Sequence, residues 1–384
     1  MLPLARRHQI TYLCRAVRDQ HALDEASTFY EMHGIRLVVS GEPPPANRGP
    51  SFYGRLAANL ASPLPYSVAS HQSPGVRREM RNMLRAESVD VWQFDSISYA
   101  DTLIGTAART VVVAHNVESL IWERMYRTER QPLKRWFIRR QWEKYERYER
   151  HVLQHACRVV AVSREDAALL RAQFGVERAA VVDNGVDVSF YAETARTRRP
   201  DPKQILFLGS LDWRPNLDGI DVMLSRVMPR VLAEEPAARL SIVGRNPPPA
   251  LVRRIQREPN VELHADVADV RPYLGASAVM AVPLRIGGGS RLKILESIAA
   301  GVPVVSTRIG CEGLVFQPDR DLTLADENQM ADALIEAIRR PERAAAQVDR
   351  ARALVQSHYD WSRLADRLEQ VWFDVAGTPV AVAI

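Results

Sequence analysis

Cysteine is scarce. Cys14, Cys157 and Cys311 are the only three in 384 residues. They are odd in number and far apart, so they support neither a disulfide framework nor a cysteine zinc site, and buried thiols are expected. Long apolar runs are also missing: nothing approaches the roughly 18 apolar residues that a membrane span needs. The opening "MLPLARRHQITYLC" has no apolar core followed by a small-residue cleavage site, so the expected compartment is the cytoplasm. No short repeat and no extended low-complexity tract occurs. Excess charge is small, +5 over the whole chain.

What is present is the composition of a globular protein, 46% hydrophobic and 25% charged, with a length that favours two domains of about 150 to 200 residues. The small charge excess is concentrated. Arg124 to Arg150 holds ten basic and four acidic residues, a balance of +6, interleaved with Tyr126, Trp136, Phe137, Trp142, Tyr145 and Tyr148. Cations among aromatic rings suit an anionic membrane surface, with Lys134, Arg135, Trp136, Arg139 and Arg140 as the expected contacts. A long helix that packs its aromatics inward and solvates its basic face is the alternative. The same charges would serve nucleic acid, but nucleic acid is not expected as a partner.

Short β-branched runs alternate with helical stretches along the whole chain. "IRLVVS", "TVVVAH", "RVVAVS" and "AVVDNG" occupy the first half; "ILFLGS", "LSIVG", "VELHA", "AVMAVP" and "VPVVST" occupy the second. Strands apolar on both faces and separated by helices predict parallel sheets covered on both sides. The fold class is therefore α/β, with two doubly wound domains expected at residues 1–195 and 196–360. The polar stretch "AETARTRRPDPKQ", residues 192–204, marks the boundary. An amphipathic helix with a tail, 361–384, closes the chain.

Ligands of open parallel sheets bind beyond the carboxyl ends of strands. Three such places carry chemistry: His115 and Asn116 in "VVVAHNVES", Ser210 to Arg214 in "FLGSLDWRPN", and the loop "PLRIGGGSRLKILE". In that loop Gly287, Gly288, Gly289 and Ser290 can turn backbone N–H groups onto an oxyanion at the head of a helix. Arg291 and Lys293 add cations, making a pyrophosphate site, and Glu296, one turn further, is placed for a ribose diol. No Gly-Lys-Ser/Thr follows and a third fingerprint glycine is lacking, so neither a Walker loop nor a dinucleotide fingerprint is present. A tight strand-to-helix turn with an exposed Lys–Glu pair is the plain structural alternative. Asp319–Asp321 matches an Asp-x-Asp pattern but reads as a solvated turn. The i, i+4 pair His151 and His155 lacks further ligands, and Asn184–Gly185 reads as a structural turn between the domains.

"PLRIGGGSRLKILESIAAGVPVVSTRIGCEGL", with "FLGSLDWRPNLDGI", "VELHADVADVRPYL", "VVDNGVDVSFY" and "AHNVESLIWERM", resembles the bacterial sugar transferases of glycosyltransferase family 4, most nearly the exopolysaccharide and exosortase-associated group. The resemblance runs from about Leu4 to about Phe373. It implies a GT-B architecture, two Rossmann-like domains facing across a cleft, with retention of anomeric configuration, no catalytic metal and no cofactor. It further implies a nucleotide-sugar donor held by Ser210, Arg214, Val267, the glycine loop, Ser290 and Glu296, with Arg291 and Lys293 stabilising the departing diphosphate. His115 matches the family's cleft histidine, beside the transferred sugar, and Asn116 falls on the acceptor side. A glycan or polyprenyl-linked acceptor would follow.

Two departures stand out: the first of the family's paired glutamates falls on Gly288, and its Gly-Arg and Lys-Gly phosphate clamp is absent, with Ser210 and Asp218 near those places. A nucleotide-sugar epimerase and a non-catalytic nucleotide-sugar binder are the alternative functions. Finally, "LPLARRHQITYLC" reads as the end of a first helix running into a second strand. The first domain is thus expected to lack its opening strand, or to fill that place with other residues such as the tail "GTPVAVAI".

Overall fold

The structure, a computed structural model, describes residues 1–46, 49–177, 179–286 and 291–377. It divides into two units, one of Met1–Asp183 with the chain from Ala365 onward, the other Asn184–Leu364.

The second unit is built on one six-stranded sheet. Its strands are β7 (Asp201–Leu208), β8 (Arg239–Gly244), β9 (Val261–Ala265), β10 (Ser277–Val282), β11 (Val304–Ser306) and β12 (Thr323–Leu324). They lie in the order β12-β11-β10-β7-β8-β9, all parallel. Ile205, Leu206, Phe207, Leu240, Ile242, Val279 and Met280 are fully buried, because helices cover both faces; this is why these runs are apolar without alternation. The first strand, β7, stands in the middle of the sheet, so its carboxyl end lies beside those of β8 and β10.

The first unit has two separate parallel sheets among the described residues. β1 (Ile10–Arg15) pairs with β2 (Ile35–Ser40), and β3 (Trp92–Phe94), β4 (Thr110–Ala114), β5 (Arg158–Ala161) and β6 (Ala179–Val181) form a second sheet in sequence order. A short helix α1 (Leu2–Ala5) precedes β1, and α2 (Pro74–Ala86) buries Val76, Met80 and Met83. The doubly wound α/β class expected from the sequence is what both units display.

The boundary differs from expectation. The stretch expected as the boundary, 192–204, contains the later part of helix α5 (Val188–Thr197), and Asp201 already opens β7. Asp187 caps that helix, its carboxylate accepting from the Phe190 N–H at 3.0 Å, and Tyr191 is buried against the second unit's core. The helix is seated by Val188 and Tyr191, one turn apart and just ahead of the polar stretch. The Asn184–Gly185 turn is structural: a β-carbon at Gly185 would collide with the Tyr359 carbonyl and Leu364. The closing helix α8 (Trp361–Ala376) packs Val371 and Val375 onto Val111, Val113 and Val160 of the first unit. Residues 378–384 of the tail lie outside the described residues. The expectation of buried thiols fails, since Cys157 is exposed and Cys14 and Cys311 are half-buried.

Candidate functional site

The second unit gathers its chemistry where β7 and β8 end. Both end in glycine-bearing turns that permit close approach. A β-carbon on Gly244 would collide with the Gly209 carbonyl, and one on Gly209 would lie 2.7 Å from Asn216 Nδ2 and 2.9 Å from Lys293 Nζ. Asn216 sits in the first turn of α6 (Arg214–Val222), which has Pro215 at its head. Lys293 sits at the head of α7 (Leu292–Ala299), an apolar helix buried through Ile294, Leu295 and Ile298. The Lys293 ammonium donates to Asn216 Oδ1 at 2.8 Å, while Asn216 Nδ2 donates to the Ser210 carbonyl at 2.8 Å. The ammonium also lies 5.1 Å from the centre of the Phe207 ring.

This cation is expensive to keep charged. Burial, and then the neighbouring Arg291 guanidinium, bring the Lys293 amine down to about 7, with Glu296 opposing the shift. Glu296 is itself pushed up by burial, eased by a hydrogen bond from Tyr191 and by the Lys293 charge. Burial thus disfavours the charged form of both groups, the amine by lowering its pKa and the carboxyl by raising it, one helical turn apart on α7.

Most of the other expected donor residues have partners of their own. Arg291 is the N-cap of α7, 3% exposed, and donates to the Ile309 carbonyl at 2.8 Å, with Glu312 at 3.7 Å. Its guanidinium thus also ties down the 307–314 segment. Ser210 spends its hydroxyl on Asp212 at 2.7 Å. Arg214 opens α6 and is half-buried, and Val267, after β9, packs on the same core as Tyr191. Asp218 is held by Arg285 at 2.6 Å. Gly287, Gly288, Gly289 and Ser290 lie outside the described residues. Asn216 and Tyr191 escape a reading of the sequence, although the "RPN" after β7 was the available signal for the first.

In the first unit, β4 delivers His115, exposed, and Asn116 to its carboxyl end. Asn116 Nδ2 donates to Glu118 Oε1 at 3.3 Å, and Glu118 opens α3 (Glu118–Thr128). Behind it stands Glu149, 2% exposed, on helix α4 (Pro132–His155). Its carboxylate accepts the N–H groups of Glu118 at 2.7 Å and Ser119 at 3.0 Å. Burial pushes Glu149 up to about 7 despite those bonds, and pushes Glu118 up as well. Neither glutamate stands out in the sequence, where Glu149 counts as one more surface charge.

Helix α4 carries the basic segment with one face buried and its head exposed. Ile138, Tyr145, Tyr148 and Val152 are buried at helical spacing, and Lys144, against expectation, is buried too, donating to the Asn59 carbonyl at 2.5 Å. The head of the helix is different: Leu133, Lys134, Arg135, Trp136, Arg139 and Arg140 are all exposed. Lys134 pairs with Glu129 at 3.0 Å, Arg139 and Arg140 share Glu143, and Arg135 lies 4.7 Å over the Tyr126 ring. The His151 and His155 rings lie 4.7 Å apart at a tilt of 54°, and the latter meets the His151 carbonyl at 2.7 Å. Asp321 is buried, accepting the Gln317 N–H at 2.8 Å, so the Asp319–Asp321 pattern closes a turn. No helix among the described residues is long and apolar enough to cross a membrane.

A family profile described as "Glycosyltransferase Family 4" matches residues 4–190, and one described as "Glycosyl transferases group 1" matches 202–340. The chain belongs to the group 1/family 4 glycosyltransferases. Among curated family relatives, a GDP-mannose-dependent monoacylated alpha-(1-6)-phosphatidylinositol monomannoside mannosyltransferase of Corynebacterium glutamicum is 29% identical over 160 residues, 38% of this chain and 42% of that protein. A phosphatidyl-myo-inositol mannosyltransferase of Mycobacterium tuberculosis is 28% identical over 218 residues, 53% of this chain and 56% of that protein. The chain thus matches about half the length of these relatives. Sucrose-phosphate synthase from Thermosynechococcus elongatus superposes with a TM-score of 0.65 at 17% identity, covering 96% of this chain and 99% of that one. HepE from Anabaena, in complex with UDP and glucose, gives 0.64 at 14% identity over 96% and 100%. The shared architecture is the GT-B fold of two Rossmann-like domains.

Proposed function

We propose that this family 4 member is a retaining glycosyltransferase that moves a sugar from a nucleotide diphosphate donor to a glycan or lipid-linked acceptor in cell-surface polysaccharide synthesis. The observation that carries the reading is the Lys293 ammonium, seated on the Asn216 amide at the end of β7 and one turn from the half-buried Glu296. A diphosphate beside Lys293 would restore the charge that burial opposes, and the Glu296 carboxylate would accept two ribose hydroxyls. As the bond from sugar to diphosphate breaks, negative charge grows on the leaving oxygen, and a pre-placed cation at a helix head stabilises that charge more than the ground state. Arg291 adds to the local positive potential while holding the 307–314 segment. His115, after β4, serves the transferred sugar, Asn116 the acceptor, and the exposed head of α4 an anionic membrane surface. The relatives that act on phosphatidylinositol mannosides support a lipid-linked acceptor.

Calorimetric titration with UDP and with GDP tests the donor site. Lys293→Ala is expected to weaken nucleoside diphosphate binding by about 1.5 to 3 kcal/mol, the range of a charged hydrogen bond. Unchanged affinity in both Lys293→Ala and Arg291→Ala would place the donor elsewhere. Transfer from labelled nucleotide sugar to a membrane lipid extract then separates an enzyme from a protein that only binds the donor.

A further inference from the structure

The heads of α3 and α7 carry opposite chemistry. In α7 the N-cap residue is Arg291 and the first turn presents a cation, Lys293. In α3 the first turn presents a carboxylate, Glu118, and the N-cap residue Val117 makes no side-chain cap. Val117 is instead 3% exposed and belongs to the core of the first unit, so a polar capping residue has no place there. The amides at the head of α3 must find partners elsewhere. Glu149 provides them from α4: its Oε1 accepts the Glu118 N–H at 2.7 Å and its Oε2 the Ser119 N–H at 3.0 Å. Two donors met at once need two oxygens, and a carboxyl has them.

This cap from behind decides what the head can bind in front. The positive end of a helix ordinarily draws an anion, but the first two amides of α3 are already spent on Glu149. What remains beside His115 and Asn116, after β4, is the half-buried Glu118 side chain. Among the described residues Asn116 is its one hydrogen-bond partner, donating to Oε1 at 3.3 Å, and no cation pairs with it. The charged neighbour that eases it is His71, an exposed ring at the end of the short helix Tyr66–His71. Trp122, one turn on in α3, stacks with Tyr145 of α4 at 6.0 Å, so the wall next to the carboxylate is aromatic. A carboxylate in that setting repels an anion. A hydroxyl, which donates, is the group it can take.

We propose that Glu118 is a specificity-determining residue of the acceptor site, its second carboxylate oxygen receiving a hydroxyl of the acceptor, and that Glu149 is the positioning residue that holds it there. Both roles rest on the transferase reading above, in which the turn after β4 serves the acceptor. Glu149 acts only through the first turn of α3: moving its carboxyl moves the backbone of Glu118 and, with it, the side chain that Asn116 steadies.

Transfer from labelled nucleotide sugar to a membrane lipid extract, with the extract varied, tests both residues. Glu118→Gln and Glu118→Ala are each expected to raise the extract concentration for half-maximal transfer by about tenfold or more, as loss of a charged hydrogen bond does. Calorimetric affinity for UDP and GDP should stay within about twofold of wild type, because the donor site is in the second unit. Glu149→Gln is expected to raise the same half-maximal concentration about three- to fivefold. In a Glu118→Ala background it should change that concentration by less than about twofold, since the residue it positions is gone. Effects that multiply in full overturn the positioning role, because a cap that only stabilises the fold acts whatever stands at 118. Should Glu149→Gln fail to fold, Glu149→Asp, which keeps the carboxylate and shortens its reach, takes its place in the same comparison. A wild type that binds nucleoside diphosphate and transfers no sugar ends the transferase reading and this one with it. A wild type that transfers, with both Glu118 variants matching its half-maximal concentration, ends this one alone.

Discussion

The two units answer the same architectural problem in different ways. In the second, a central strand lies under helices on both faces and three strand ends converge on one place, so a lysine and an asparagine from separate helices meet within hydrogen-bond reach, with a glutamate one turn away. In the first, the described strands form two separate sheets, and the chemistry at the strand ends is carried by β4 alone, backed by a buried glutamate from α4. A central strand does more than add apolar area: it brings its neighbours' loops into register. Around β7 stands a clustered cation site, and after β4 the first unit displays a single histidine–asparagine turn.

The sharpest test compares leucines on equivalent scaffolding. Leu206→Ala in β7 is expected to cost about 2 to 5 kcal/mol, as for any fully buried leucine. Leu13→Ala in β1, where the leucine is half-buried, is expected to cost about 1 kcal/mol. Denaturant unfolding measures both, and equal costs for the two variants would remove the contrast between the sheets.

Next in size is a pH effect confined to the first unit. Glu149 is raised to about 7 in the folded chain against an ordinary value of 4.5. Between those values the unfolded chain has released its proton while the folded chain keeps it. Stability should therefore fall as pH rises from 4.5 to 7 and level off above, with a slope of up to about 1.4 kcal/mol per pH unit. Glu149→Gln, whose single amide oxygen accepts only one of the two N–H groups but which has no carboxyl to titrate, should flatten that slope; a parallel curve for wild type and variant would show that the carboxyl is not the source.

The second unit should show its own titration through ligand rather than stability. Lys293 is lowered to about 7, so under mildly alkaline conditions much of it is neutral, and a bound diphosphate would draw a proton onto it. Calorimetry in buffers of different ionisation heat, about one pH unit above that value, should report proton uptake on nucleoside diphosphate binding, absent in Lys293→Met. Asn216→Ala, which removes the seat and keeps the cation, should weaken binding by about 1 kcal/mol and shift the pH profile. A loss of affinity without such a shift would assign Asn216 to packing alone.

The smallest effect per residue is at the surface. Replacing Lys134 and Arg139 by Glu should lower co-sedimentation with anionic vesicles, each lost basic residue costing about 1 kcal/mol near the surface. Salt should weaken binding of the unmodified protein, and equal binding to neutral and anionic vesicles would leave α4 a packing helix only.

The parts legible in the sequence share a cause. Strands with apolar residues on both faces announce a buried parallel sheet, and a Lys and a Glu one turn apart after a strand announce charged groups at a helix head, because both signals are local. Asn216 was hidden because its role depends on meeting Lys293 from a helix 77 positions away. Glu149 was hidden because its charge was counted without knowing which face of α4 is buried; its spacing from Tyr145, Tyr148 and Val152 held the information. The boundary was misplaced for a related reason: the expected linker begins at residue 192 and cuts α5 just after Val188 and Tyr191, the residues that pack on the core, so its helical spacing is split between two segments.

Helix α8 makes the first unit discontinuous in the chain, with the second unit, Asn184–Leu364, emerging between its parts. During synthesis from the amino terminus, the second unit can bury its whole sheet as soon as Leu364 has cleared the ribosome. The segment Met1–Asp183, although made earlier, must wait for Val371 and Val375 before one face of β4 and β5 is covered. The part translated first is thus the part completed last. In the interval its exposed valines are a natural client surface for ribosome-associated chaperones, and premature stops near the end of the message should damage the half of the protein encoded at its beginning.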